Sequence, residues 1–121
     1  MFTMEVDEDQ KLIRARMSGF MDPAEVLEFS QQEQQAVTDM GCNSGDFILL
    51  IDTDGAVIQS QETVAKFIEI MASSQLKARK IAVVRKSSLS RMQTQRILLI
   101  RDNAAIFPSV LEAEAWLLSV D

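Results

Sequence analysis

The sequence predicts an α/β fold in which an N-terminal antiparallel hairpin lies on a mostly parallel sheet, in the order β-β-α-β-α-β-α-β-α. Three observations carry this. Residues 2–18 alternate apolar and polar with period two, the mark of strands covered on one face. Phe47–Ile51 and Ile81–Val84 are unbroken apolar runs, as in central strands covered on both faces. Between and after these runs, capping residues introduce segments of helical spacing, so the strands are joined by crossovers and run parallel. A chain of 121 residues, 47% hydrophobic and 25% charged, fits a single globular domain spanning 1–121.

Phe2, Met4 and Val6 alternate with Thr3 and Glu5, and Ile13, Ala15 and Met17 alternate with Leu12, Arg14 and Arg16. The polar stretch Asp7–Gln10 turns the chain between them, and Gly19 ends the second strand. Asp22-Pro23-Ala24-Glu25 opens the first helix: Asp22 accepts from free amides, Pro23 needs no hydrogen-bond partner, and Glu25 completes a capping box. Val26, Phe29, Val37 and Met40 form its apolar stripe, Gly41 ends it, and Cys42–Gly45 is a surface loop. The run Phe47–Ile51 closes at Asp52, and a loop extends from Asp52 to Ser60. A second helix covers Gln61–Ser74 with Val64, Phe67, Ile68 and Met71 inward. After the strand Ile81–Val84 come a third helix from Ser88 to Leu99, a short strand Ala104–Phe107 and a last helix. The last helix is capped by Ser109 and Glu112 and carries Leu111, Trp116 and Leu118. Arg96 falls on the apolar side of the third helix; it either reaches out to solvent or a carboxylate, or Ile97–Ile100 is extended.

Composition narrows the chemistry. With no histidine and no tyrosine, the commonest general base and metal ligand are missing, which favours a protein that is not an enzyme and needs no cofactor or metal. The single cysteine, Cys42, makes no internal disulfide, and acids stand where a signal peptide would carry bases, so a cytoplasmic protein is expected. Eighteen acids against twelve bases, a net charge of −6, weigh against nucleic acid as a partner.

The order of elements is similar to that of the STAS superfamily, and most similar to its SpoIIAA-like branch of small bacterial proteins. The resemblance rests on Ile48-Leu49-Leu50-Ile51-Asp52, Lys80–Val84, Leu89–Arg96, Ile106-Phe107 and Glu112–Leu117, and so covers nearly the whole chain. It implies a regulatory or ligand-binding module that recognises its partner at the C-terminal edge of the strands, where open sheets usually bind. In anti-sigma-factor antagonists of this type, a serine at the start of the helix after that strand is phosphorylated by a partner kinase. Ser60 falls near this position, although Gln59-Ser60-Gln61-Glu62 departs from the family's Asp-Ser pattern and Glu62 opposes added negative charge. As an N-cap, Ser60 also has a purely structural reason to be there.

Two further places on that edge invite chemistry. Asp52-Thr53-Asp54-Gly55 after an apolar strand resembles the first motif of haloacid-dehalogenase-type phosphatases, in which Asp52 and Asp54 would serve a Mg²⁺-dependent reaction. Alanine stands at position 56 where that family has Thr or Val, and a turn needs Asp and Gly in any case. Residues 77–101 hold eight of the twelve bases and no acid. The strand Ile81–Val84 separates Lys77–Lys80 from Arg85–Lys86, and the helical steps of Arg91, Arg96 and Arg101, about 140° each, spread them around the axis. What remains is Arg85, Lys86, Ser87 and Ser88 before a helix start, with Arg91 one turn on, a set able to hold a phosphate or carboxylate. With the apolar residues beyond, it supports a second reading: a binder of a lipid or other small amphiphilic anion, with peripheral membrane contact. Seven methionines and the Ile97–Ile100 run are compatible with such a surface or with plain core, and a homodimer is left open.

Overall fold

The computed structural model describes residues 1–57, 59–85 and 102–119. Five strands form one sheet in the spatial order of the chain: β1 (Phe2–Asp7), β2 (Leu12–Gly19), β3 (Ile48–Ala56), β4 (Lys80–Val84) and β5 (Ala104–Phe107). β1 and β2 pair antiparallel with Phe2 opposite Met17 and Val6 opposite Ile13, while every later neighbour pairs parallel. Three described helices complete the fold: α1 (Pro23–Asp39), α2 (Gln61–Ser73) and α3 (Val110–Leu117). This is the α/β architecture expected of the sequence. The third helix expected over Ser88–Leu99, with Arg96 and Ile97–Ile100, lies outside the described residues.

The strand pleat divides the core into two layers. Ile13, Ala15, Met17, Leu49, Ile51, Ile81 and Val83 face α1 and α2, meeting Val26, Phe29 and Val37 of α1 and Phe67, Ile70 and Met71 of α2. The intervening residues Leu12, Ile48, Leu50, Ala82 and Val84 face the other way, onto Ala113 and Leu117 of α3 with Phe107 and Trp116 beside them. The apolar runs of β3 and β4 therefore feed both layers, with each fully buried large side chain contributing about 2 kcal/mol. Along α3 the inward residues are Ala113 and Leu117, whereas Leu111 is 80% exposed and Leu118 half-exposed. An eight-residue helix presents one narrow stripe to the sheet, and Leu111 and Leu118 are off it.

Caps define the helix starts. Asp22 is the N-cap of α1 and its Oδ1 accepts from the Glu25 amide at 2.8 Å, with Pro23 directly after it. Gly41, at φ +72°, reverses the chain after α1, a conformation that favours glycine. Ser109 caps α3, accepting from the Glu112 amide and donating to the Glu112 carboxylate, each at 3.2 Å. An Asp22→Ala chain is expected to lose about 1 kcal/mol, read as a lower urea midpoint at unchanged slope, with Asp22→Asn close to wild type.

Side chains pin the connections to one another. Gln34 of α1 clasps the backbone of Leu76, its Oε1 accepting from the Leu76 amide and its Nε2 donating to the Leu76 carbonyl. Cys42, in the segment expected as surface loop, is buried against the α1 layer. Among the described residues no helix is long and apolar enough to cross a membrane.

Candidate functional site

The C-terminal edge of the parallel strands is built around an irregularity in β3. Asp52 pairs with Val84 on β4, the last rung of that ladder. On the other side β3 continues along β2, but the register slips between Arg16–Asp52 and Ser18–Gly55, so Thr53 and Asp54 together oppose Met17. Asp52 and Asp54, expected in a loop, therefore lie within a strand that runs on to Ala56. The polar residues are accommodated because this part of β3 has left β4 and has a ladder on one side only.

Arg85 closes the gap where β3 and β4 part. Its guanidinium donates to the Thr53 carbonyl, its amide donates to the Phe107 carbonyl at 2.9 Å, and the Thr53 hydroxyl donates to the Val84 carbonyl at 2.8 Å. Arg85 is only 6% exposed. Burial lowers its pKa from the ordinary guanidinium value, and the Asp54 carboxylate raises it part of the way back. Asp54, itself exposed, donates its amide to Asp52 Oδ1 at 3.0 Å. Among the described residues no three metal-ligating side chains are gathered to hold a cation.

Ser60 occupies a second place on the same edge. It is the N-cap of α2, exposed, with its Oγ accepting from the Thr63 amide at 3.2 Å. The Ser60 hydroxyl donates to Thr63 Oγ1 at 3.0 Å, and the Thr63 hydroxyl donates to the Met21 carbonyl at 2.6 Å. Thr63 is almost fully buried. Gln59 grips the same segment from the other side: its Oε1 accepts from the Met21 amide at 2.8 Å and its Nε2 donates to the Gly19 carbonyl at 3.1 Å. Two residues beside Ser60 thus fasten the link between β2 and α1 onto the start of α2. An open cleft of about 390 Å³ lies at this junction, lined by Phe20, Met21, Asp22, Ser60, Glu62 and Thr63 among others. Phe20 is 73% exposed, and Val57, on the link between β3 and α2, is half-exposed.

The structure thus sets Arg85 with Asp52 and Asp54 at the parting of β3 and β4, and Ser60 at the meeting of the β2–α1 link with α2. Lys86, Ser87, Ser88 and Arg91, the other members of the expected anion site, lie outside the described residues. The contacts of Gln59 and Thr63 are not legible in the sequence because their partners are about 40 residues away in the chain; only Ser60, a residue type favoured at an N-cap, signals a capped helix start. A second buried cation, Lys80, stands at the opposite edge. Its ammonium donates to the Trp116 carbonyl at 3.0 Å and to the carbonyl and hydroxyl of Ser119, and lies 5.0 Å from the centre of the Trp116 ring.

No protein-family model and no curated protein matches the sequence. Solved structures do. An uncharacterised DUF3478-family protein from Shewanella loihica, described as having a SpoIIAA-like fold, superposes with a TM-score of 0.74 over 97% of this chain and 92% of its own, at 14% identity. An anti-sigma factor antagonist from Mycobacterium paratuberculosis superposes with a TM-score of 0.65 over 98% of this chain and 96% of its own, also at 14% identity. Identities this low speak to architecture: the chain has a SpoIIAA-like fold of the STAS type.

Proposed function

We propose that this protein is a non-enzymatic regulatory module that recognises a protein partner at the C-terminal edge of its sheet, with phosphorylation of Ser60 as the switch. The observation that carries this reading is the exposed Ser60 hydroxyl at the N-cap of α2, beside an open cleft flanked by the exposed ring of Phe20. A phosphate at a helix N-terminus gains from the free amides and the helix dipole. Glu62 in the first turn of α2 offsets part of that gain. The fold neighbour named as an anti-sigma factor antagonist acts, by that name, against another protein, which supports a protein partner here.

The test is mass spectrometry of the chain isolated from its native cells, followed by parallel pull-downs with wild-type, Ser60→Ala and Ser60→Asp baits. Phosphate mapped to Ser60, with at least one partner retained by one variant bait and lost by the other, is the expected outcome. Unmodified Ser60 under every growth condition, together with identical partner sets, would remove the switch.

A further inference from the structure

The hydrogen-bond chain behind Ser60 has a direction, and the direction matters once Ser60 is modified. Ser60 Oγ–H donates to Thr63 Oγ1, whose own hydrogen goes to the Met21 carbonyl. Thr63 has one hydroxyl hydrogen to give, and it is spent on holding the segment that carries Phe20.

We infer that Thr63 is a positioning residue that couples the chemical state of Ser60 to the placement of Phe20. The inference rests on the reading of Ser60 as a phosphorylation target. Phosphoryl transfer by a partner kinase forms a bond from Ser60 Oγ to the terminal phosphorus of a nucleoside triphosphate. It breaks the bond to the departing diphosphate and sends the hydroxyl proton to the kinase's base. Oγ is then an ester oxygen with no hydrogen, and the phosphate oxygens beside it are strong acceptors. Thr63 Oγ1 has lost its donor and faces an anion. A hydroxyl rotates easily, and a charge-assisted hydrogen bond is roughly twice as strong as a neutral one, so the Thr63 hydrogen turns from the Met21 carbonyl to the phosphate.

The Met21 carbonyl is then left without the Thr63 hydrogen in a residue that is 3% exposed overall, an arrangement that loosens the segment around it. Gln59 still holds the Met21 amide and the Gly19 carbonyl, so the segment is freed at one point without being released altogether. Phe20 lies between those two attachments, with its ring already in solvent. The result is a modified and an unmodified form that present different apolar surfaces beside the same cleft. Asp22 and Glu62 line that cleft too, and their carboxylates add to the push that a phosphate exerts on its surroundings.

The experiment uses the full chain with phosphoserine placed at position 60 during synthesis, so it requires no cellular kinase. The readouts are the rate of chymotryptic cleavage after Phe20, followed by mass, and hydrogen exchange at the Met21 amide. Phosphoserine is expected to raise both about five- to tenfold, the factor that loss of one intramolecular hydrogen bond carries. Thr63→Val, which keeps the shape and removes the hydroxyl, is expected to raise them by a similar factor without phosphate and to make them insensitive to phosphoserine. Thr63→Ser is expected to restore the wild-type response. Rates unchanged by phosphoserine in the wild-type chain, or effects of phosphoserine and Thr63→Val that simply multiply, would overturn the coupling. Failure to find phosphate on Ser60 in cells bears on the switch itself and leaves this measurement untouched.

Discussion

An Arg85→Ala chain is expected to lose about 3 kcal/mol of stability. Arg85 is 6% exposed and lies where the β3–β4 ladder stops, so no neighbouring strand substitutes for it. Removing it leaves the Thr53 carbonyl without the guanidinium, takes a positive charge from the vicinity of Asp54, and opens a void the length of the side chain. Each of these acts in the same direction. Arg85→Lys keeps the charge but not the planar donor fork and is expected to recover about half the loss. Urea unfolding reads both, with a shifted midpoint at constant slope. A shift below about 1 kcal/mol for Arg85→Ala would mean that the guanidinium is not what holds the two strand ends together.

What the sequence discloses is whatever depends on neighbours along the chain. The alternation of Phe2–Met17, the Asp22–Pro23 start and the Ser60 and Ser109 caps are local signals, and the structure has each of them where they point. The end of β3 was not legible in this way. Asp52-Thr53-Asp54-Gly55 has the composition of a turn, yet the strand goes on to Ala56, because β2 still offers a ladder after β4 has ended. Whether a strand continues there is decided by a chain more than 30 residues away, through a bulge that absorbs the mismatch. Buried charge is illegible for the same reason. Glu33, Lys80 and Arg85 are all buried, and each sits among residues whose pattern suggests solvent or an open rim. The cost of burying such groups is offset by partners that only the folded chain assembles. At the candidate site the split is equally plain. Ser60 is visible as a cap, while the Gln59 and Thr63 contacts that make its neighbourhood specific depend on a loop that ends at Met21.

Lys80 offers the second large effect, at the other end of the same strand. The last turn of α3 contains no basic residue of its own, and its C-terminal carbonyls face Lys80 instead. A cation at a helix C-terminus is favoured by the dipole, and here its donors reach the Trp116 carbonyl and both oxygens of Ser119. Eight residues are too few to hold a helix by backbone bonds alone, so α3 depends on such anchors and on the burial of Ala113 and Leu117. A Lys80→Ala chain is therefore expected to lose about 2 kcal/mol, from the lost charge-assisted hydrogen bonds, the lost cation–π contact and the missing aliphatic stem, although the Trp116 carbonyl keeps the amide and hydroxyl of Ser119 as donors. Lys80→Met keeps the stem and is expected to lose about half as much. Trp116 is the only tryptophan, so its fluorescence reports this corner directly. Its emission is expected to move to longer wavelength in Lys80→Ala before global unfolding begins, as the last turn of α3 frays and water reaches the ring. Unaltered emission together with an unaltered urea midpoint would show that α3 is held by its apolar stripe alone, and that the buried ammonium is a passenger.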